Sequence, residues 1–474
     1  MYIQDSDVLF ANYNYSKDFY YFLYVGDLKN YTLNHFIQEN FEKRLQKKVR
    51  FIAIIPDICV QYNYANILVI NPSFSMQTSA VCCGDNDPER RISCRVNSED
   101  FMTAVSNNKT VLHLIETILD NQNQLYINMH ESAVEMKLDE IEGVSILGPN
   151  KYIARRYNNK AVQREELKGI APFIEGFTCY GTGELLEKTE PLWEKWDDGI
   201  FVSAAFSAGG ASSGIMRSPE ELKARFTEET EYTVSRFIDH DHDPTVLAVV
   251  ANENDVYIAG IADQNIVDGN RFVGSRFPSI ATEDQQKQLR EYTIAIGREI
   301  AKGGYRGIFG CDYLIDRNGS IYFLEINARK QGTTLEFCFT LEQNLPEGSP
   351  MLPELEYYAV VENRFPPNTV EMKSNRRQLH WETYNYKVST AKLTTGYIPQ
   401  NPYERETFRK VGHKELIKDF VILEHLGANC LALPGTFLAR VVSVARNTKD
   451  VSQGICQGVS FIKQTITEFD QMED

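Results

Sequence analysis

Long apolar runs are missing from this sequence. No stretch approaches the ~20 residues that a membrane span needs. The leading residues Met1-Tyr2-Ile3-Gln4-Asp5 lack the basic region and apolar run of a secretory signal. The expectation is a cytoplasmic protein with no membrane partner. Nine cysteines, an odd number, include no C-x-x-C pair, which argues against a disulfide framework and fits a reducing compartment. Cys82, Cys83 and Cys94 lie near one another, but adjacent cysteines suit zinc poorly and read as free thiols. Positive charge is in deficit as well. With 49 basic and 65 acidic residues the net charge is −16, which disfavours nucleic acid as a partner. Residues 1–150 contain no glycine-rich phosphate loop, so a dinucleotide-binding domain is not expected there.

What is present is a globular composition. Hydrophobic residues make up 43% and aromatics 11% of 474 residues, enough for the cores of about three domains. Asp7–Ala11, Arg50–Pro56 (ended by its proline), Ala65–Ile70 and Gly143–Pro149 read as strands, with helices over Leu33–Lys47 and Val111–Leu119, so the first 150 residues form an α/β unit. Helical spacing continues over Asn150–Gly169. Further strands are expected at Ile200–Ala205, Tyr232–Ile238 and Val256–Ala262, an extended loop over Asp268–Pro278, and a long helix over Thr282–Gly303. Beyond residue 341 the spacing predicts a proline-rich loop over 342–353, short strands near 420–423 and 437–442, and a closing helix over Ser460–Phe469. His380, His413 and His425 are isolated and suggest no catalytic group.

Candidate chemistry concentrates in Gly307–Thr334. Two short strands flank Asp316-Arg317-Asn318-Gly319, a turn sequence suited to a hairpin. A two-residue loop at Arg317-Asn318 places Asp312 beside Phe323 and diagonal to Glu325. Alternation puts Glu325 and Asn327 on one face. Phe309, Cys311, Tyr313, Leu324 and Ile326 then face a core. Asp312, Glu325 and Asn327 supply hard oxygens without thiols, a set suited to Mg2+ completed by substrate phosphates. Two acids on a half-solvated sheet face are also ordinary.

The spacing G-x-x-G-x-D-x-x-x-D-x-x-G-x-x-x-x-x-E-x-N-x-R over 307–329 resembles the metal-binding hairpin of the ATP-grasp superfamily. The resemblance implies ATP with Mg2+ (or Mn2+) held by Asp312, Glu325 and Asn327, and Arg329 and Lys330 meeting the transferring phosphoryl group. It implies an α/β (α+β) fold in three parts: a pre-ATP-grasp domain at 1–149, an ATP-grasp core at 150–340, and a C-terminal segment at 341–474 closing the acceptor site. The core divides into a nucleotide-covering part at 150–235 and a metal-binding part at 236–340.

Other stretches fit that pattern in order. Asn158-Asn159-Lys160 before Gly169-Ile170-Ala171-Pro172 resembles the segment whose lysine reaches a nucleotide phosphate; a helical lysine taken alone is an ordinary surface residue. Ser207-Ala208-Gly209-Gly210-Ala211-Ser212-Ser213-Gly214 resembles the phosphate-covering loop, with Ser207, Gly209, Gly210, Ser212, Ser213 and Gly214 as donors. Two departures stand out. The family places a lysine on the strand before that loop, where this chain has Ser203-Ala204-Ala205, and it often has glutamate where this chain has Ser235. Asp243 resembles the acid that binds ribose hydroxyls. His240 and His242 among Asp239, Asp241 and Asp243 could instead ligate a transition metal or decorate an exposed turn. Arg271 and Arg276 are candidates for gripping a substrate carboxylate, Arg276 being placed among the catalytic residues.

Within the superfamily the sequence most resembles pheganomycin-type peptide ligases and the butirosin acyl-carrier-protein glutamate ligase. The implied function is activation of a small-molecule carboxylate, an amino acid such as glutamate, as an acyl phosphate. Transfer follows to an amine or a carrier-protein thiol, with ADP and phosphate released, in antibiotic or peptide biosynthesis by a soluble enzyme compatible with a homodimer. Rival readings are a small-molecule kinase and a non-catalytic nucleotide-binding regulator.

Overall fold

A computed structural model of the chain describes residues 8–27, 31–56, 65–72, 96–207, 212–267, 269–390, 392–394, 420–425, 431–432, 434–435, 437–464 and 466–468. Cys82, Cys83, Cys94, Gly209, Gly210 and His413 lie outside the described residues. The chain divides into two compact units. One comprises Met1–Gly148, Thr334–Tyr357 and Lys373–Asp474; the other comprises Pro149–Thr333 and Tyr358–Met372.

The first unit is built on a six-stranded sheet of β1 (Val8–Asn12), β2 (Tyr20–Val25), β3 (Val49–Ile55), β4 (Ile67–Ile70), β5 (Leu125–Met129) and β6 (Val144–Leu147), in the order β1-β4-β3-β2-β5-β6. All its pairings are parallel except β1 with β4. Near-continuous apolar runs such as Phe51-Ile52-Ala53-Ile54-Ile55 are what a parallel sheet covered on both faces requires, and all five are buried. Helix α1 (Leu33–Leu45) covers this unit, together with α2 (Ser98–Asn107) and α3 (Lys109–Leu119). Asn108 ends α2 and starts α3, accepting from the backbone N–H groups of Thr110 and Val111.

The same unit carries an antiparallel set of three strands, His380–Lys387, Phe437–Ala445 and Phe420–His425, against which the helix Thr448–Lys463 packs. That helix starts well before the expected Ser460, with Asn447 capping Asp450. Two glycines inside it hide the helical pattern. A Cβ at Gly458 would stand 2.4 Å from Val441 Cγ1, so glycine there lets helix and sheet approach.

The second unit holds two antiparallel sheets. The expected single helix over 150–169 is two, α4 (Lys151–Tyr157) and α5 (Lys160–Glu166). Asn159 breaks them because its side chain accepts from Ala161 N and Val162 N, capping α5 rather than continuing α4. A four-stranded sheet follows in the order β7 (Gly176–Tyr180), β10 (Glu231–Arg236), β8 (Ile200–Ala204), β9 (Ser213–Met216). A larger one runs β15 (Ile321–Asn327), β14 (Gly307–Asp316), β11 (His240–Val250), β12 (Val256–Val267), β13 (Arg271–Phe277).

Within the expected loop over Asp268–Pro278, Arg271–Phe277 is therefore a strand, paired with a β12 longer than anticipated. Arg271, Phe272, Val273 and Ser275 hold the extended backbone despite Gly269 and Gly274, and the reversal uses Gly269 at φ +81°. The helix Glu283–Lys302 is closed at its start by a Thr282–Gln285 capping box. Its Leu289, Ile296 and Ile300 bury against Val246, Ala248, Phe309, Cys311 and Tyr313 on one face of the large sheet, leaving the other face open to a cavity.

Candidate functional site

The hairpin β14–β15 carries the carboxylates, and its register differs from the simple expectation. Its turn has three residues, not two. Asp316 N donates to Ser320 O at 3.0 Å, and Gly319 sits at φ +84°, the left-handed position that favours glycine. The Asp316 carboxylate pins the turn by accepting from the backbone N–H groups of Asn318 and Ser320. Ile315 then faces Ile321 and Tyr313 faces Phe323, but Asp312 faces Glu325. Leu324 is thus the extra residue of a bulge, which turns two consecutive side chains to one face. It is 39% exposed and lines the cavity rather than the core. The bulge is what sets the two acids directly opposite each other.

Around them stands a polar shell. Asp312 Oδ1 accepts from Thr245 Oγ1 at 2.6 Å and Gln331 Nε2 at 3.1 Å, and Oδ2 accepts from Asn327 Nδ2 at 2.7 Å. Arg329 Nη2 donates to Asn327 Oδ1 at 2.8 Å. Burial and then the charge of Glu325 push the Asp312 carboxyl up to about 6, against the bonds from Thr245, Asn327 and Gln264. Lys160 Nζ lies 2.9 Å from Glu325 Oε2, 2.7 Å from Ser207 Oγ and 3.3 Å from Ser203 Oγ. The ammonium therefore arrives from the start of α5 beside Ser203, on the strand where the resemblance expects a lysine.

One cavity of about 290 Å3 gathers these groups. Lys160, Asp312, Glu325, Asn327 and Arg329 line it, and so do Ser213, Ser235 and Asp243. Apolar side chains, Phe173, Ile174, Phe201, Val234, Ile238 and Leu314, form another part of its wall, alongside Arg164, Arg236, His240 and Gln264. A charged end and an apolar wall in one cleft suit a ligand with phosphates at one end and a flat ring at the other. Asp243 is already engaged: His240 Nε2 lies 2.9 Å from its Oδ1, and His240 Nδ1 lies 2.8 Å from Ile238 O. Both ring nitrogens face acceptors, so the imidazolium is the form that satisfies both. The hydrogen bond to Asp243 accordingly raises its pKa to about 9.

Several expected residues fall elsewhere. Arg276 is not among the cavity-lining residues; its neighbour Ser275 is, and the Arg276 guanidinium lies 3.6 Å from the fully buried Asp263. Asp263 also accepts from Ser279 Oγ and Ile280 N, so this arginine stands beside the carboxylate that pins the chain after β13. Lys330 is buried and outside the lining. Ser212 is exposed at φ +51°, and Gly214 packs beside the Arg225 guanidinium. Thr245, Gln264 and Gln331 were not anticipated. Gly310 held a clue to Gln331, since a Cβ there would lie 1.9 Å from Gln331 Cδ. The second glycine of the hairpin motif makes room for that side chain. Among the described residues no group of three or more His, Cys, Asp or Glu side chains could hold a metal, which leaves the His240–His242 region without a transition-metal set.

Residues 188–333 match the family described as "ATP-grasp domain". The chain carries an ATP-grasp domain. The hairpin, Asp243 and the Ser207–Gly214 segment all lie within that match, and Lys160 precedes it. Over 267 residues the chain is 26% identical to a chloroplastic biotin carboxylase of Arabidopsis thaliana, covering 53% of this chain and 46% of that protein. Over 261 residues it is 23% identical to the [butirosin acyl-carrier protein]–L-glutamate ligase of Niallia circulans, covering 52% and 57%. The chain thus spans about half the length of these curated relatives. The biotin carboxylase domain of the Hydrogenobacter thermophilus 2-oxoglutarate carboxylase, solved with MgADP, superposes with a TM-score of 0.62 at 14% identity over 94% of this chain and 90% of that one. That likeness establishes the ATP-grasp fold. Among the described residues no helix is long and apolar enough to cross a membrane.

Proposed function

We propose that the cavity binds ATP and that the chain is an ADP-forming ligase activating a carboxylate as an acyl phosphate. The observation that carries this reading is the direct facing of Asp312 and Glu325, with Asn327, Lys160 and Arg329 at the same end of one cavity. Two facing carboxylates, one with a raised pKa, form a site that a hard divalent cation relieves, and Asn327 adds a neutral oxygen. With two acids at this end of the cavity, phosphate oxygens would complete the shell, which is the usual mode for Mg2+. Asp312, Glu325 and Asn327 would hold it, where bound Mg2+ neutralises phosphate charge.

The chain's own residues do the positioning. Lys160 and Arg329 supply the fixed positive charge that phosphoryl transfer needs, and Ser213 adds a donor on the covering strand. Asp243, held by His240, faces the cavity as an acceptor for ribose hydroxyls. A substrate carboxylate oxygen bonds to the γ-phosphorus as the bond to the ADP oxygen breaks. An amine nitrogen or a carrier thiolate then bonds to the acyl carbon, and phosphate leaves. Arg276 and Lys330, away from the lining, have no part in this sequence of steps. The carboxylate is proposed to be an amino acid, glutamate foremost, and the acceptor an amine or a phosphopantetheine thiol, in specialised-metabolite biosynthesis.

The test is ADP release against a panel of amino acids and bicarbonate, with and without amines and a phosphopantetheinylated carrier protein. Carboxylate-dependent ADP formation is expected. ATP consumed with the phosphate retained on the product would favour a kinase, and no ADP with any carboxylate would overturn the reading.

A further inference from the structure

The outer edge of β15 is not open to solvent. β15 ends the large sheet, and an edge strand leaves alternate backbone groups without a ladder. Phe323 N donates to Pro172 O at 2.9 Å, and Ala328 N donates to Asn158 Oδ1 at 2.9 Å. Between them, Gln163 acts as a substitute strand. Its Oε1 accepts from Ile326 N at 2.7 Å, and its Nε2 donates to Ile326 O at 2.9 Å and to Tyr157 O at 2.6 Å. Gln163 is 1% exposed, so these bonds have no water to replace them.

Ile326 stands between Glu325 and Asn327, and Gln163 lies one helical turn after Lys160 on α5. The same amide therefore fixes the strand that presents two oxygen ligands and the helix that presents the ammonium paired with Glu325. Resting on the ligase reading above, we propose that Gln163 is a positioning residue for the phosphate end of the site. It sets Lys160 against Glu325 and holds Glu325 and Asn327 in register, without touching the nucleotide itself. A brace serving only the fold would lower stability and leave the Lys160–Glu325 geometry and the Mg2+ response alone.

The experiment uses the full chain with Gln163→Met, which keeps length and removes all three hydrogen bonds. Gln163→Asn, whose amide is withdrawn by one methylene, serves if the first does not fold. Turnover is expected to fall about tenfold or more, as supporting partners of metal ligands do. The Mg2+ concentration for half-maximal ADP release should rise by a similar factor, and KM for ATP should rise less than in Lys160→Met, because the ammonium is displaced and not removed. A ligand-free readout accompanies it: a melting-temperature cycle of Lys160→Met with Glu325→Gln, run once in the otherwise unaltered chain and once in the Gln163→Met background. The non-additivity between the two sites should be present in the first background and absent in the second. Should the unaltered protein release no ADP, the ligase reading falls, while the cycle still decides the role of Gln163. A folded variant with unchanged non-additivity, or with lower stability but unchanged turnover and Mg2+ response, overturns the proposal.

Discussion

Replacing Gly310 by alanine is expected to disturb the site without adding charge or touching a ligand. The new methyl would meet Gln331 at 1.9 Å (Cδ), 2.1 Å (Nε2) and 2.3 Å (Oε1). No strained backbone conformation is involved, so the end of the Gln331 side chain must move. Moving it breaks the bond to Asp312 at 3.1 Å and the contact with Thr245 at 3.1 Å. A hydrogen bond to a charged group contributes about 1.5–3 kcal/mol and a neutral one about 1. Water entering from the cavity restores part of this, so a net loss of about 2 kcal/mol follows. At 2–4 °C per kcal/mol for a unit of roughly 200 residues, melting should fall by roughly 4–8 °C. Scanning calorimetry measures it. In a Gln331→Ala background the three closest contacts of the alanine at 310 are gone, and its cost should drop to about a few tenths of a kcal/mol. Equal costs of Gly310→Ala in both backgrounds would place the clash elsewhere than at Gln331.

Further expectations concern charge. The folded His240 is raised to about 9 from an ordinary 6.5, so the imidazolium pair with Asp243 stabilises fully below about pH 6.5. That contribution, on the order of 3 kcal/mol, is lost as pH rises through about 9. His240→Asn should flatten the stability profile between those limits in urea titrations, and an unchanged slope would count against the pair. Arg329→Lys keeps a charge but loses the bond to Asn327 Oδ1; single-turnover ADP formation should slow at least about tenfold while ATP affinity falls less, and a pure affinity loss would remove Arg329 from the chemical step. Lys160→Met leaves Glu325 without its ammonium and should raise KM for ATP about tenfold or more, read from initial rates.

Much of the second unit was legible in the residues. Asp312, Glu325 and Asn327 share one cavity with Lys160, Ser235 and Asp243, as the motif order suggested, and the α/β character of the first 150 residues followed from the apolar runs of β3 and β4. What was not legible depends on geometry that spacing cannot carry. A three-residue turn and a bulge at Leu324 look, in sequence, like a two-residue turn and regular alternation. They differ by which acid faces which. Arg276 resembled a carboxylate clamp because its loop held turn-forming residues, yet the extended backbone of β13 puts it beside Asp263 and off the cavity. Gln163 and Gln331 gave no signal because an uncharged amide carries none until its backbone or carboxylate partner is in place. Gly310 and Gly458 each clear space for a side chain, Gln331 and Val441, that only the fold brings near.

Metal binding by Asp312, Glu325 and Asn327 is the part of the proposed function on which the other steps depend. Its most direct measurement is the Mg2+ dependence of ADP release in Glu325→Gln, an isosteric change at a half-buried residue. The substitution should abolish Mg2+-dependent turnover while circular dichroism and melting stay close to those of the unaltered protein. Turnover with an unchanged Mg2+ dependence would show that Glu325 does not hold the metal.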